Sequence, residues 1–132
     1  MSAAMMVCHV TDHLHMAVGD LAVEPAPLQV GIGGRRIPVG RGMLWFGPAR
    51  TVMVHWLPWP KGWIGAPPET LRTPPGEWRE DIEALHAMIG RAGEKDAQEK
   101  WGAHPVFGRL QGREWGRICW LHLDYHLRQF GV

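Results

Sequence analysis

Two histidine pairs, one near each end of the chain, have a spacing that could hold a metal ion. His122 and His126 lie in "HLDYHLRQFG", and His9 and His13 lie in "CHVTDH". Residues four apart on an α-helix project from the same face, so both imidazoles of a pair can point at one object. Such pairs also arise by composition as core or surface histidines, and a metal site needs a third ligand from elsewhere. The spacing alone leaves both interpretations open.

The segments that carry these pairs have helical patterns. Residues 2–18 place apolar residues or histidine at helical spacing, and Gly19 is a plausible stop. A last helix is predicted over residues 113–130. One of its faces combines histidine with apolar residues, namely Trp115, Ile118, Cys119, His122, Tyr125, His126 and Gln129. Leu123, Leu127 and Phe130 form a second stripe, which predicts burial of this helix on two sides.

Two further helices are predicted in the middle of the chain. One covers residues 43–57, with Pro48 either in its first turns or kinking it. The other follows Pro75 and ends near residues 90–93. Acidic residues stand near its N-terminus, and its apolar stripe consists of Trp78, Ile82, Leu85 and Ile89.

The connections set the expected architecture. Residues 24–42 are rich in proline and glycine, and "LQVGIGGRRIPV" could form a short hairpin around Gly33-Gly34. Residues 58–73 form a Pro/Trp-rich loop that is long enough to let the second and third helices run parallel. The pattern predicts one all-α domain over residues 1–132, built as a four-helix bundle.

Composition narrows the classes of function. The chain has 132 residues and a net charge of +1 with no basic cluster, so no nucleic-acid partner is expected. We also expect no membrane span and no signal peptide, and two cysteines without a CxxC motif favour the cytoplasm. Eight tryptophans are difficult to bury in one small bundle. Together with the second stripe of the last helix, they predict a homodimer.

Several motifs, in order along the chain, resemble one branch of the DinB/YfiT-like metalloprotein superfamily, itself of unassigned function. They are "MVCHVTDHLHMAVGD", "LPWPKG" and "HPVFGRLQGREWGRICWLHLDYHLRQFGV". The likeness spans nearly the whole chain and is most specific at the C-terminus, where an HPxFG box, a Trp and an HxxxHLRQFG ending recur.

This resemblance implies a four-helix bundle of up-down-down-up order and a three-histidine metal site. It assigns His9 from the first helix and His122 and His126 from the last as ligands, because His13 falls where the branch usually has a small polar residue. The ion would be Zn²⁺, Ni²⁺ or Fe²⁺, which suit neutral imidazole ligands. The family usually has further residues ahead of this helix, so either the true N-terminus lies upstream of Met1 or His9 lies in a frayed helix end.

Other residues are weaker candidates for a role at the site. Asp12 is either a hydrogen-bond acceptor for His9, a base, or a solvated side chain. His104 either closes over the site or caps a turn, and Tyr125 either donates its hydroxyl into the pocket or packs in the core. Cys119 is either a soft ligand or a buried apolar residue.

The resemblance also suggests the chemistry. Relatives include thiol-dependent transferases and isomerases, so the first hypothesis is metal-assisted thiol chemistry on a small electrophile, with a low-molecular-weight thiol as partner. A metal-dependent hydrolase is the second hypothesis, because a bound divalent ion lowers the pKa of its water. The third is a non-enzymatic small-molecule-binding or stress-associated module.

Overall fold

The computed structural model describes residues 1–24, 26–32, 35–39, 47–56 and 71–132. This part of the chain is mainly helical, as predicted, and contains two short antiparallel hairpins. The helices are α1 (Ala3–Val18), α2 (Pro48–His55), α3 (Trp78–Glu94) and α4 (Gly112–Gln129). The strands are β1 (Leu28–Ile32) with β2 (Arg35–Val39), and β3 (Ala103–His104) with β4 (Gly108–Arg109). None of the helices in these ranges is long and apolar enough to cross a membrane.

Helix α1 has the predicted ends and lies at the centre of the core. The Ser2 hydroxyl accepts a hydrogen bond from the backbone N–H of Met5, and Gly19 ends the helix in the left-handed conformation at φ 97°. Burial is nearly continuous from Met6 to Val18. One side packs against Leu85 and Met88 of α3, and the other meets a cluster that includes residues of α4.

The directions of the helices follow from contacts near their ends. Near the start of α1 and of α3, Asp81 lies against the Cys8 thiol. Near their ends, the Arg91 guanidinium donates to Asp20 at 2.5 and 2.9 Å. These two helices therefore run in the same direction. Helix α4 is opposed to α1, because His9 lies beside His126 whereas His13 lies beside Trp115.

This arrangement corrects the predicted helix order. An up-down-down-up bundle that starts at α1 requires α1 and α4 to share a direction and α3 to oppose α1, and both relations are reversed here. The contacts of His9 with His126 and of His13 with Trp115 are possible only if α1 and α4 run in opposite directions. The closed four-helix bundle remains a prediction.

Helix α2 is shorter than predicted. Gly47 has φ 89° and ψ −171°, which a helix cannot contain, so α2 starts at Pro48, where a missing N–H costs nothing. It ends at His55, and the predicted positions 43–46 and 57 lie outside the described residues. The predicted hairpin is confirmed by the pairing of Ile32 with Arg35, and its turn at positions 33–34 also lies outside them.

Helix α3 starts after Pro75 as predicted, but its buried stripe differs. Leu85 and Met88 are buried and Ile82 is half-buried, whereas Trp78 and Ile89 are 52% and 43% exposed. Trp78 lies in the first turn, and Ile89 is rotated by about 100° from Met88. Both side chains therefore lie at the edge of the contact with α1.

The β3–β4 hairpin carries the HPxFG box and was not predicted. It is tied to the end of α1 by Gly102, whose backbone N–H donates to the carbonyl of Ala17 at 2.9 Å. A Cβ at Gly102 would lie 2.0 Å from the carbonyl oxygen of Met16, so only glycine permits this approach. The contact places His104 beside α1.

Candidate metal centre

Three buried histidines converge where α1 crosses the last turns of α4. The Nε2 atoms of His9 and His122 are 2.9 Å apart, and those of His126 and His122 are 3.0 Å apart. One ligand atom from each of the three rings lies within 4.8 Å of the others. Nitrogen ligands at right angles on an ion, with bonds of about 2.1 Å, are about 3.0 Å apart. These two separations therefore suit neighbouring ligands on one ion.

Hydrogen bonding alone does not satisfy this cluster well. A neutral imidazole has one N–H and one lone pair, but the Nε2 of His122 lies within hydrogen-bond distance of two other Nε2 atoms. A single proton or lone pair on that nitrogen must be shared between both neighbours. A cation at the centre would instead accept one lone pair from each ring, so the geometry favours a metal.

A side-chain amide supports one of the ligands from outside. The Nδ1 of His126 lies 3.2 Å from the Oε1 of Gln129, an oxygen that can only accept a hydrogen bond. This contact puts the ring proton on Nδ1 and leaves Nε2 free to bind a metal, which is the usual arrangement around protein metals. The Nδ1 of His122 is buried and has no hydrogen-bond partner among the described residues.

The environment keeps these rings neutral at physiological pH. Burial, followed by the neighbouring imidazoles, holds the pKa of His122 well below its usual 6.5. Burial and then His9 lower the pKa of His126 to about 4. Since only a neutral imidazole can donate a lone pair to an ion, the two rings are ready to bind a metal without first losing a proton.

His13 lies next to the three-histidine group but does not belong to it. Its ring is 4.2 Å from that of His122 and is only 4% exposed. Its nitrogens make no hydrogen bond within the part of the chain that the structure describes. Burial, followed by the neighbouring imidazole of His104, keeps its pKa well below 6.5. The choice of His9 over His13 as a ligand thus agrees with the observed grouping.

His104 caps a turn, one of its two predicted roles, and also lies near the site. Its Nδ1 accepts the backbone N–H groups of Val106 and Phe107 at 3.1 and 3.3 Å, so the ring proton resides on Nε2. Burial lowers its pKa to about 3. Its ring centre is 5.8 Å from that of His13, which connects the HPxFG box to the histidine cluster.

The carboxylate of Asp12 is engaged elsewhere. It accepts hydrogen bonds from the backbone N–H groups of Arg72 and Thr73 at 3.0 and 2.9 Å and from the Thr73 hydroxyl at 2.6 Å. These contacts tie α1 to the segment that leads into α3. They do not support the predicted roles of Asp12 as an acceptor for His9 or as a base.

The remaining candidates lie in or near the core. Tyr125 is buried, and its ring centre is 5.2 Å from that of His126. Cys119 packs between the two core clusters and is not part of the three-histidine group, and burial raises the pKa of its thiol to about 12. Asp124 pairs with Arg128 at 2.6 Å and is rotated by about 200° from His122 around the helix.

Sequence reasoning identified the three converging histidines but missed the arrangement around them. The burial of His13 was indicated by its position four residues after His9, whereas the hairpin that presents His104 had no strand-like pattern.

Comparison of the chain with protein-family models, with curated proteins and with solved structures found no match.

Proposed function

We propose that this chain is a DinB-like metalloprotein in which His9, His122 and His126 hold one divalent transition-metal ion. The observation that carries the proposal is the convergence of three buried Nε2 atoms, with two separations of 2.9 and 3.0 Å. Zinc, nickel and iron all accept neutral imidazole ligands, so the donor set does not choose among them.

One feature favours the DinB-like assignment, which rests on motifs. The HPxFG box lies beside the histidine cluster through the contact between His104 and His13.

The leading function is metal-assisted thiol chemistry on a small electrophile, as a transferase or isomerase. With three protein ligands, a bound ion keeps at least one position for another ligand, where it would stabilise a thiolate or polarise a carbonyl group. A metal-dependent hydrolase comes second. A non-enzymatic small-molecule-binding module comes third.

Among the described residues, His13 is the side chain best placed to contact a molecule bound beside the ion. It is neutral, lies against His122 and offers one donor and one acceptor that make no hydrogen bond within the described ranges. These nitrogens are not among the fully buried atoms that lack a partner in the described residues, so a bound molecule can reach them. His13 is thus a positioning residue in this proposal.

A cobalt titration tests the thiol hypothesis. The protein is loaded with Co²⁺ and titrated with a small thiol, and we expect a thiolate-to-cobalt charge-transfer band that strengthens with pH up to the pKa of the thiol. The band should be absent from His122→Ala. If cobalt is bound and no band appears, the thiol hypothesis is wrong and the hydrolase becomes the better proposal.

Cys119→Ser is the matched control, because Cys119 carries a thiol of the protein itself on the same helix as His122 and His126. This variant should give the same band as the wild-type protein, because burial keeps the Cys119 thiol protonated. A band that is present before any thiol is added, and absent from Cys119→Ser, would make Cys119 a ligand. That outcome would favour a structural or sensing metal.

A further inference from the structure

One face of α4 has an apolar stripe that the core covers only in part, because Leu123 packs against the cluster between α1 and α3 while the rest is half-buried or exposed. We call it the α4 seam, and it consists of Gly116, Trp120, Leu123, Leu127 and Phe130. The spacing alternates between four and three residues, so these positions lie within about 80° of the helix circumference. Trp120 is 56% and Phe130 is 42% exposed, whereas His122 and Tyr125 on the other side are buried.

Beside this seam, α3 and α4 leave an apolar groove. The groove is a 240 Å³ cavity with Val10 and Leu14 of α1 at its base. Ile89 of α3 forms one wall, and Trp120 and Leu123 form the other. The apolar surface therefore continues from the edge of α3 onto the α4 seam, which is about 21 Å long. Exposed apolar surface of this kind usually marks an interaction site.

We propose that a second copy of this chain covers this face, with the two α4 seams packed antiparallel about a two-fold axis. In that register Trp120 of one copy lies opposite Leu123 of the other, and Leu127 lies opposite Gly116. The space around Gly116 is open, because a Cβ placed there would meet nothing within 4 Å. In the layer of Leu127 and Gly116 a large side chain thus faces a small one, and the same patch serves both copies.

Charges beside the seam favour this orientation. Arg117 and Asp124 lie on the same flank of α4, about 20° apart around the helix. The guanidinium of Arg117 lies 4.9 Å from the centre of the Trp120 ring, and Asp124 is held by Arg128. In an antiparallel pair each Arg117 faces the Asp124 of the other copy, which gives two opposite-charge contacts by symmetry. A parallel two-fold pair would place this flank on opposite sides of the two helices and would not bring Arg117 and Asp124 together.

Sedimentation equilibrium of the full chain tests the pairing. At micromolar concentrations we expect about twice the chain mass of 14.9 kDa. Arg117→Asp creates two like-charge contacts in the dimer and should weaken dimerisation by about tenfold or more. The double variant Arg117→Asp with Asp124→Arg should restore it. A monomeric wild-type protein, or a double variant no tighter than the single one, would overturn the proposal.

Two controls separate this effect from misfolding. Arg35→Asp reverses an exposed arginine on β2 and should leave the dimer unchanged. Thermal unfolding should show that both α4 variants stay folded, because the changed side chains are on the surface. Equal weakening by Arg35→Asp would mean that net charge rather than the α4 seam controls association, and would contradict the proposal.

Cysteine cross-linking tests the orientation. In a Cys119→Ser background, Arg113→Cys combined with Phe130→Cys should oxidise to a covalent dimer, because these positions share a layer of the antiparallel pair. Phe130→Cys alone should stay monomeric on a non-reducing gel. Efficient cross-linking of the single variant would indicate parallel helices and refute the antiparallel arrangement.

Discussion

Replacing Asp12 distinguishes a structural clamp from a residue that acts at the metal centre. The carboxylate is buried, and all three of its hydrogen bonds go to Arg72 and Thr73. A hydrogen bond to a charged group contributes about 1.5–3 kcal/mol, and water can reach the exposed residues 72 and 73 after the change. We therefore take about 1 kcal/mol per bond. Asp12→Ala should lower the free energy of unfolding by about 3 kcal/mol.

Asp12→Asn keeps an oxygen that can accept the two backbone N–H groups, so it should cost only about 1 kcal/mol. The assay is urea unfolding of the metal-free proteins, with zinc affinity measured on the same preparations. Glu83→Gln, at an exposed position of α3, is the control and should change the stability by less than about 0.5 kcal/mol. If Asp12→Asn keeps its stability but loses zinc affinity tenfold or more, the clamp interpretation is wrong and Asp12 acts at the metal centre.

Three other substitutions address the surroundings of the metal centre. In the folded state His104 has a pKa of about 3 and stays neutral, whereas in the unfolded chain it takes up a proton below about pH 6.5. The free energy of unfolding of the metal-free protein should therefore fall as the pH drops below about 6.5. His104→Asn, which keeps an acceptor for the turn, should reduce that slope by about 1.4 kcal/mol per pH unit in urea titrations, and an unchanged slope would contradict the neutral state. Gln129→Leu removes the hydrogen-bond acceptor of His126 and should weaken zinc binding, measured by calorimetry. The loss should not exceed about tenfold, because Gln129 is exposed and water can replace its oxygen. His13→Ala should retain the full metal content, and loss of the metal would make His13 a ligand.

The ends of the helices were largely predictable because local chemistry determines them. Ser2 and Gly19 bound α1, and Pro75 precedes α3, each for reasons that involve only neighbouring residues. The start of α2 was wrong because Gly47 adopts a positive φ, and glycine gives no sign in the sequence of which conformation it will take. The direction of one helix relative to another depends on distant contacts such as that between Arg91 and Asp20, which no local pattern reveals.

The candidate site was predictable in parts. Helical spacing places His122 and His126 on one face, but it places His9 and His13 on one face equally well. The resemblance favoured His9, and the opposed direction of α1 and α4 explains why it lies nearer to His126. Burial was misjudged for Trp78 because it lies in the first turn of α3, where the angular position of a side chain alone does not decide its exposure.

The metal content of the purified protein tests the central claim most directly. We predict about one divalent ion per chain by elemental analysis after reconstitution with Zn²⁺, Ni²⁺ or Fe²⁺. His126→Ala should not retain the ion, and His9→Ala should behave in the same way. A wild-type protein that takes up none of these ions would contradict the account, and so would a His9→Ala variant that keeps its metal.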